Sequence, residues 1–184
     1  MVLDCAFSLV TAAVRYCFNY RLPVPWITLD AWRFLKKHLK PDARIFEWGS
    51  GMSTLWYERH YAEVHSVEND GGWFATLSGK ARKAHLYLLD GSRYAEKIRD
   101  FPAEYFDLIV VDGIDRLRCL KEASRHLKRS GLLMIDNTDW PDLNLAVRES
   151  RGFEIHRLTG WAPGNFFAQQ TTILTKQHAA AQTD

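Results

Sequence analysis

Residues 45–54 read Ile45-Phe46-Glu47-Trp48-Gly49-Ser50-Gly51-Met52-Ser53-Thr54, and this stretch decides the fold. An apolar run enters two glycines spaced by one residue, and a helix-compatible run follows, so the pattern predicts a strand, a tight turn and a helix. Glycines lack a Cβ, so the backbone can bend sharply and approach a bound molecule. The free N–H groups at the helix start favour a carboxylate or a phosphate. A tight turn that binds nothing has the same pattern.

Strand-like and helix-like segments alternate after this turn. The predicted strands are 44–48, 63–68, 85–89, 106–112, 131–136, 153–158 and 168–175. The predicted helices between them are 52–60, 72–83, 92–99, 116–128 and 142–150. This alternation predicts an α/β fold with a Rossmann-like, doubly wound and mostly parallel sheet. The last two strands have no helix between them, so a terminal antiparallel strand should close the sheet.

Composition indicates one globular domain with a sizeable core, because the 184 residues are 47% hydrophobic. The net charge of +2 is too small to imply a polyanion partner, and the basic clusters fall at predicted helix ends, where they complement the helix dipole. We therefore expect no nucleic-acid partner. The three cysteines form no C-x-x-C pair, which fits a reducing, cytoplasmic location.

The N-terminal residues 1–25 read as a helix and a linker ahead of the domain at 26–176, with a tail at 177–184. The helix should span residues 1–20, with one apolar face formed by Leu3, Phe7, Val10, Val14 and Phe18. Its uncharged run is shorter than the roughly 20 residues that span a bilayer. We expect packing on the domain or on a partner, such as a second copy in a homodimer. The alternative is peripheral membrane contact.

The motif Glu47-x-Gly49-x-Gly51 resembles the first motif of the class I S-adenosylmethionine-dependent methyltransferases. A carboxylate on a buried strand is costly without a cationic or hydrogen-bonding partner. The resemblance implies that Glu47 faces the positively charged end of S-adenosylmethionine. It also implies that the turn residues Gly49, Ser50, Gly51 and Ser53 bind the methionine end of this cofactor. A terminal antiparallel strand is also typical of this family.

The ends of the second and third strands carry further candidate cofactor ligands. Glu68 lies roughly twenty residues past the glycines, where an acid can accept hydrogen bonds from ribose hydroxyls. Asn69 is placed to flank the adenine, although Asn69 or Asp70 could instead cap the next helix. Asp90 and Gly91 resemble the family position that hydrogen-bonds the adenine amino group, but Asp-Gly is also a common turn.

The ends of the fourth and fifth strands resemble the catechol and caffeoyl-coenzyme A type of metal-dependent O-methyltransferase. Asp112, Asp136 and Asn137 match the positions that hold a divalent cation in that family. The resemblance implies a site for Mg²⁺ or a similar cation, which would lower the pKa of a bound hydroxyl. The alternative is that Asp112 shapes the cofactor pocket while the other two residues end a strand and cap a turn.

The general base cannot be transferred from that family, because Asp115 stands where the family has a lysine. Asp115 could act instead, a metal-bound hydroxyl could need no base, or the chemistry could differ from catechol-type transfer. The candidate catalytic residues are Asp112 and Asp115. The sequence thus predicts an S-adenosylmethionine-dependent methyltransferase that acts on an oxygen of a small-molecule acceptor. The alternatives are an NAD-type dinucleotide-binding oxidoreductase and a non-catalytic cofactor-binding partner subunit. The G-x-G-x-x-G pattern of the former fails at Thr54.

Overall fold

The computed structural model describes residues 2–177, so the predicted tail at 177–184 lies almost wholly outside the described residues. The helices are α1 Val2–Phe18, α2 Leu29–His38, α3 Met52–His60, α4 Gly71–Ser78, α5 Gly91–Glu96, α6 Arg116–His126 and α7 Pro141–Arg148. A 3-10 turn at Lys97–Asp100 follows α5. The strands are β1 Arg44–Trp48, β2 Glu63–Glu68, β3 His85–Leu88, β4 Phe106–Val111, β5 Leu127–Asp136, β6 Phe153–Trp161 and β7 Ala168–Lys176.

The seven strands form one sheet in the order β3-β2-β1-β4-β5-β7-β6. The pairs from β3 through β5 are parallel, whereas β7 runs antiparallel to both β5 and β6. The predicted fold class, with its terminal antiparallel strand, is confirmed. The strand order reverses between β1 and β4, and in open α/β sheets ligands bind outside the carboxyl ends of strands at such a point.

Helices cover both faces of the sheet, which explains why most residues of β1 are apolar. Phe46 and Trp48 pack on one face, in a core cluster with residues of α5, α6 and α7. Ile45 packs on the other face, with residues of α2 and α3. Side chains alternate between the faces of a strand, so a strand covered on both sides needs apolar residues at nearly every position. Glu47 interrupts this pattern.

Some element boundaries differ from the prediction because tertiary contacts decide them. The helix predicted to reach residue 83 ends at Ser78. Oε2 of Glu58 accepts the backbone N–H groups of residues 82, 83 and 84, so these groups bond to a side chain rather than to helical carbonyls. Strand β5 begins at Leu127, earlier than predicted, because Leu127 pairs with Phe106. Strand β6 extends to Trp161, which pairs with Ala168.

Helix α1 packs on the domain with its polar face. Its buried residues are Ser8, Thr11 and Ala12, whereas Leu3 and Val10 of the predicted apolar face are exposed. The described part of the chain therefore leaves that apolar face uncovered. Within residues 2–177, none of the helices combines the length and the apolar character needed to cross a membrane.

Candidate active site

A cavity of about 380 Å³ opens at the ends of β1, β2 and β4. We call it the strand-end cavity. Its lining consists of the first turn, the residues after β2 and β4, and two tryptophans: Trp26, Gly49, Ser50, Gly51, Met52, Ser53, Glu68, Asn69, Trp73, Asp112, Gly113 and Ile114. Small-molecule sites typically measure about 300–1,000 Å³. The cavity thus lies where the topology predicts a ligand, and its size suits one.

The turns after β1 and β4 lie in backbone contact. Gly49 has a φ of +96°, and a Cβ at this position would lie 2.6 Å from the backbone nitrogen of Gly113. Gly51 differs, because its φ of −164° is extended backbone that any residue adopts. A Cβ on Gly51 would have Ser53 Oγ as its nearest neighbour, at 3.4 Å. The sharp bend therefore requires Gly49, while Gly51 leaves open space beside the cavity.

Glu47 is fully buried and accepts hydrogen bonds from the hydroxyls of Ser53, Thr54 and Ser66. Burial raises the pKa of Glu47 to about 7, because these three neutral donors only partly offset it and the charge of Asp112 raises it further. The buried carboxylate of Glu47 needs hydrogen-bonding partners, and three hydroxyl groups serve as these partners. The residues around the strand-end cavity do not include Glu47, and its predicted contact with the cofactor's charge stays a prediction.

Glu68 lines the strand-end cavity and also holds the start of the next loop. Its Oε1 accepts the backbone N–H groups of Asn69 at 2.7 Å and Asp70 at 2.8 Å. Its Oε2 accepts no hydrogen bond from a residue in the described range and can take one from a ligand. The cap of α4 is Asp70, whose side chain accepts the N–H of Trp73 at 2.6 Å. Asn69 is exposed beside the cavity.

Asp90 and Gly91 lie at the start of α5, and neither belongs to the described lining of the strand-end cavity. Asp90 occupies the N-cap position without a side-chain hydrogen bond to the helix, and Gly91 has a φ of +51°. A turn with positive φ suits glycine whether or not a ligand is present. The predicted adenine contact of these two residues stays a prediction.

The guanidinium of Arg116 joins the ends of β4 and β5. It donates to Asp112 Oδ1 at 3.1 Å and to Asn137 Oδ1 at 3.0 Å. It also donates to the carbonyl oxygens of Asp136 at 2.6 Å and Gly113 at 2.9 Å. Burial raises the pKa of Asp112 to about 6, although the positive charge of Arg116 acts in the opposite direction. Arg116 is therefore the counter-charge of the carboxylate that lines the cavity.

The carboxylate of Asp136 faces a different set of partners. Oδ1 and Oδ2 accept from the amide of Gln169 at 3.2 and 2.9 Å, and the hydroxyl of Thr171 donates to Oδ1. Burial, and next the charge of Asp112, raise the pKa of Asp136 well above its ordinary value. Asn137 has a φ of +55°, and its side chain accepts from Arg116. The three predicted metal ligands thus share a region, but each carries another hydrogen bond.

Asp115, the other candidate base, is exposed at the N-cap of α6, outside the described lining of the strand-end cavity. Sequence reasoning did not assign Met52, Trp73, Gly113 or Ile114 to the site, yet all four line it. For Gly113 a signal existed, because it directly follows a strand-end aspartate. The sequence around Trp73 does not indicate that this side chain lines the cavity. Its position depends on the hydrogen bond from its indole N–H to the carbonyl of Ser50.

Residues 48–135 match the sequence profile of a family described as a methyltransferase domain. The matched range runs from the end of β1 nearly to the end of β5. It contains all the cavity-lining residues except Trp26. No curated protein matches the chain in sequence.

Solved structures with the same fold differ in what their names say they do. The O-methyltransferase TomG from Streptomyces achromogenes, solved with S-adenosylmethionine, has a TM-score of 0.66 and 14% identity, covering 95% of this chain and 90% of that chain. An rRNA methylase from Streptococcus thermophilus has a TM-score of 0.61 and 14% identity, covering 81% and 95%. A spermidine synthase from Thermotoga maritima has a TM-score of 0.58 and 18% identity, covering 76% and 55%. At such identities the likeness shows the fold alone.

Proposed function

We propose that this chain, whose residues 48–135 match a methyltransferase domain, is a class I S-adenosylmethionine-dependent methyltransferase that methylates a hydroxyl oxygen of a small molecule. The observation that carries the proposal is the position of Asp112, whose carboxylate lines the strand-end cavity beside the guanidinium of Arg116 and has a raised pKa. A general base works best when its pKa lies near the working pH. The methyltransferase match favours this function over a dehydrogenase, and turnover would separate it from a non-catalytic cofactor-binding subunit.

The residues of the strand-end cavity fit the cofactor. Open space at Gly51 lets the backbone approach a ligand, and the N–H groups at the start of α3 favour its carboxylate. Oε2 of Glu68 is available to the ribose hydroxyls. Asn69 would flank the adenine, and the more distant Asp90 and Gly91 would complete the adenine contacts. When bound, S-adenosylmethionine supplies an electrophilic methyl group on a positively charged sulfur.

Asp112 would then remove the proton from the acceptor hydroxyl. The cofactor would supply the methyl group and leave as a neutral thioether, and the carboxylate of Asp112 would accept the hydroxyl proton. The bond from Arg116 to Oδ1 holds the carboxylate in place. Orientation of the acceptor can supply several kcal/mol in such a two-substrate reaction. The aromatic ring of Trp26 and the apolar side chain of Ile114 form the remaining wall.

The side chains, as arranged, do not fit the predicted divalent cation. Asp112 and Asn137 already accept from Arg116, and the carboxylate of Asp136 accepts from Gln169 and Thr171. Among the residues of the described range, no group of three histidine, cysteine or acidic side chains could hold a metal ion. We therefore propose that the guanidinium supplies the positive charge and that methyl transfer needs no metal.

The test is transfer of a labelled methyl group from S-adenosylmethionine to a panel of phenols and alcohols, with matched amines and RNA beside them. We expect labelled hydroxyl compounds, equal rates with and without a chelator, and a loss of about 100-fold or more in kcat for Asp112→Asn. If Asp115→Asn loses activity and Asp112→Asn does not, the base is Asp115. Labelled RNA or amines with unlabelled hydroxyl compounds would contradict the proposal.

The proposed location is the cytoplasm. Cys5, Cys17 and Cys119 are all free thiols in the structure, and Cys17 is exposed. Exposed free thiols persist in a reducing compartment.

A further inference from the structure

Helix α1 binds the domain through polar contacts. Asp4 pairs with Arg33 of α2, and the hydroxyl of Thr11 accepts the N–H of Gly164 at 2.9 Å. Arg15 donates to the carbonyl of Gly164 at 3.1 Å and lies 4.5 Å from the ring centroid of Trp26. These side chains occupy the face of α1 that an ordinary surface helix exposes to water.

The opposite face of α1 is apolar and exposed. We call it the outward face, and it consists of Val2, Leu3, Leu9, Val10, Tyr16 and Phe18. Val2 and Leu3 are more than four-fifths exposed, at 82% and 83%, and Phe18 is 77% exposed. Among these six residues the only side-chain polar atom is the hydroxyl oxygen of Tyr16, and the exposed Cys17 nearby adds only a weakly polar thiol. A contiguous exposed apolar patch of this kind marks an interaction surface.

A group of five basic side chains lies next to the C-terminal end of α1. We call it the basic cluster, and it consists of Arg21, Arg59, Lys80, Arg82 and Lys83. These residues line a cavity of about 670 Å³ together with Tyr20, which is 57% exposed and lies two residues after the end of α1. Tyr20 therefore connects the end of α1 to the basic cluster along the chain.

The basic cluster carries an excess of positive charge. None of its five members forms an ion pair with a carboxylate in the part of the chain that the structure describes. The one acidic residue that lines the same cavity is Glu58, whose Oε2 already accepts three backbone N–H groups. An anionic surface would complement this charge.

We propose that the outward face of α1 and the basic cluster form one docking surface for an anionic lipid bilayer. The helix lies along the headgroup boundary with its apolar side chains inserted, and the basic cluster contacts anionic headgroups. A protein partner fits less well, because protein interfaces carry about one hydrogen bond per 100–200 Å² and this face offers a single hydroxyl. The bilayer interior requires no hydrogen bonds. Tyr16, Phe18 and Tyr20 would lie at headgroup level, where aromatic residues are enriched.

The first test is flotation of the full chain with two kinds of vesicle, one of phosphatidylcholine alone and one that also contains phosphatidylglycerol. We expect binding to the anionic vesicles, weakened by salt. Val10→Glu should reduce binding by about tenfold or more, because it places a charge where an apolar side chain inserts. The matched control is Leu145→Glu on α7, since Leu145 is 57% and Val10 62% exposed. Equal binding by both variants, or no binding by the unaltered chain, would overturn the proposal.

The second test separates charge from apolar insertion. Replacing Lys80 and Lys83 together by alanine should weaken binding to the anionic vesicles by about fivefold per residue and reduce its salt dependence, while the three arginines of the cluster keep the rest. The control replaces Arg125 and Arg129, two exposed basic residues outside the cluster, and should change little. If the chain instead forms a lipid-free dimer that Val10→Glu dissociates, the outward face binds a second copy and the membrane proposal fails.

Discussion

Two pairs of neighbouring strand ends surround the strand-end cavity, those of β1 and β2 and those of β4 and β5. Each pair has one buried carboxylate and one carboxylate that lines the cavity. At the ends of β1 and β2, Glu47 is buried under three hydroxyls, while Glu68 lines the cavity and accepts two backbone N–H groups. At the ends of β4 and β5, Asp136 is buried under Thr171 and Gln169, while Asp112 lines the cavity. Only the second pair has a cation, Arg116, bonded to one of its carboxylates.

This comparison shows how four acidic side chains can lie at one end of the same sheet. Neutral donors satisfy hydrogen bonds but supply no counter-charge, so the buried members keep pKa values raised to about 7 for Glu47 and well above the ordinary value for Asp136. The guanidinium of Arg116 offsets the charge of Asp112, and the raised pKa of Asp136 favours its neutral form. Both features reduce the repulsion between the two carboxylates.

The largest expected effect comes from Gly49→Ala, at the point where the two pairs of strand ends touch. A Cβ there would lie 2.6 Å from Gly113 N and 2.7 Å from the Asp112 carbonyl carbon, both backbone atoms that cannot rotate away. Together with the positive φ, this should lower the free energy of unfolding by about 3 kcal/mol or more in urea titrations. Gly51→Ala is the control, and it should lower the free energy of unfolding by less than about 1 kcal/mol. Equal losses would contradict the assigned roles of the two glycines.

The next effect concerns Glu47→Gln and the pH dependence of stability. The folded-state pKa of Glu47 is raised to about 7 from 4.5, so the folded chain binds the proton more tightly than the unfolded chain. The free energy of unfolding should therefore fall as pH rises from about 4.5 to about 7, because the unfolded carboxyl ionises first. Glu47→Gln removes the contribution of Glu47 to this fall, while Asp112 and Asp136 keep theirs, and the variant should be more stable than the unaltered chain at pH 8 by up to about 3 kcal/mol.

Urea titrations at several pH values would measure this difference. Glu154→Gln, at a side chain 68% exposed, is the control and should leave the pH dependence unchanged. If Glu47→Gln leaves the change of unfolding free energy with pH the same as in the unaltered chain, Glu47 is ionised in the folded state. The contrast between buried and cavity-lining carboxylates would then not hold for Glu47.

The smallest effect is that of Glu68→Gln on cofactor affinity. Glutamine keeps an oxygen for the N–H groups of Asn69 and Asp70 but replaces Oε2 by an amide, so stability should change little. Calorimetry with S-adenosylhomocysteine should show binding weaker by about 1–2 kcal/mol, from the loss of charge-assisted bonds to the ribose. Normal affinity combined with a lower Tm would show that Glu68 is purely structural.

The elements near the first turn were the easiest to predict from the sequence. Strands β1 and β2 and helix α3 begin and end at the predicted residues. Their boundaries are set locally, by an apolar run buried on both faces, by Gly49 and by the start of a helix. The fold class followed from the alternation, and the position of Glu68 beside the cavity followed from the end of β2.

The remaining features depend on contacts that sequence spacing does not show. Ser66 reaches Glu47 across the pairing of β1 with β2, and Thr171 reaches Asp136 from a strand added much later in the chain. Helix α1 shows the same limit in another way. Its periodicity predicted which residues share a face, but the pairing of Asp4 with Arg33 and the bonds to Gly164 decide that the polar face turns inward.

The insertion of β7 between β5 and β6 has a consequence for biosynthesis. Strand β5 is complete at residue 136, but the strand that covers its open side spans residues 168–176, so some thirty residues must leave the ribosome before the two can pair. Until then β5 presents unpaired backbone groups along one side, the kind of exposed edge that other chains can join. Long-range pairing also forms slowly. We therefore expect the edge of β5 to lack its partner strand in the interval between synthesis of β5 and synthesis of β7.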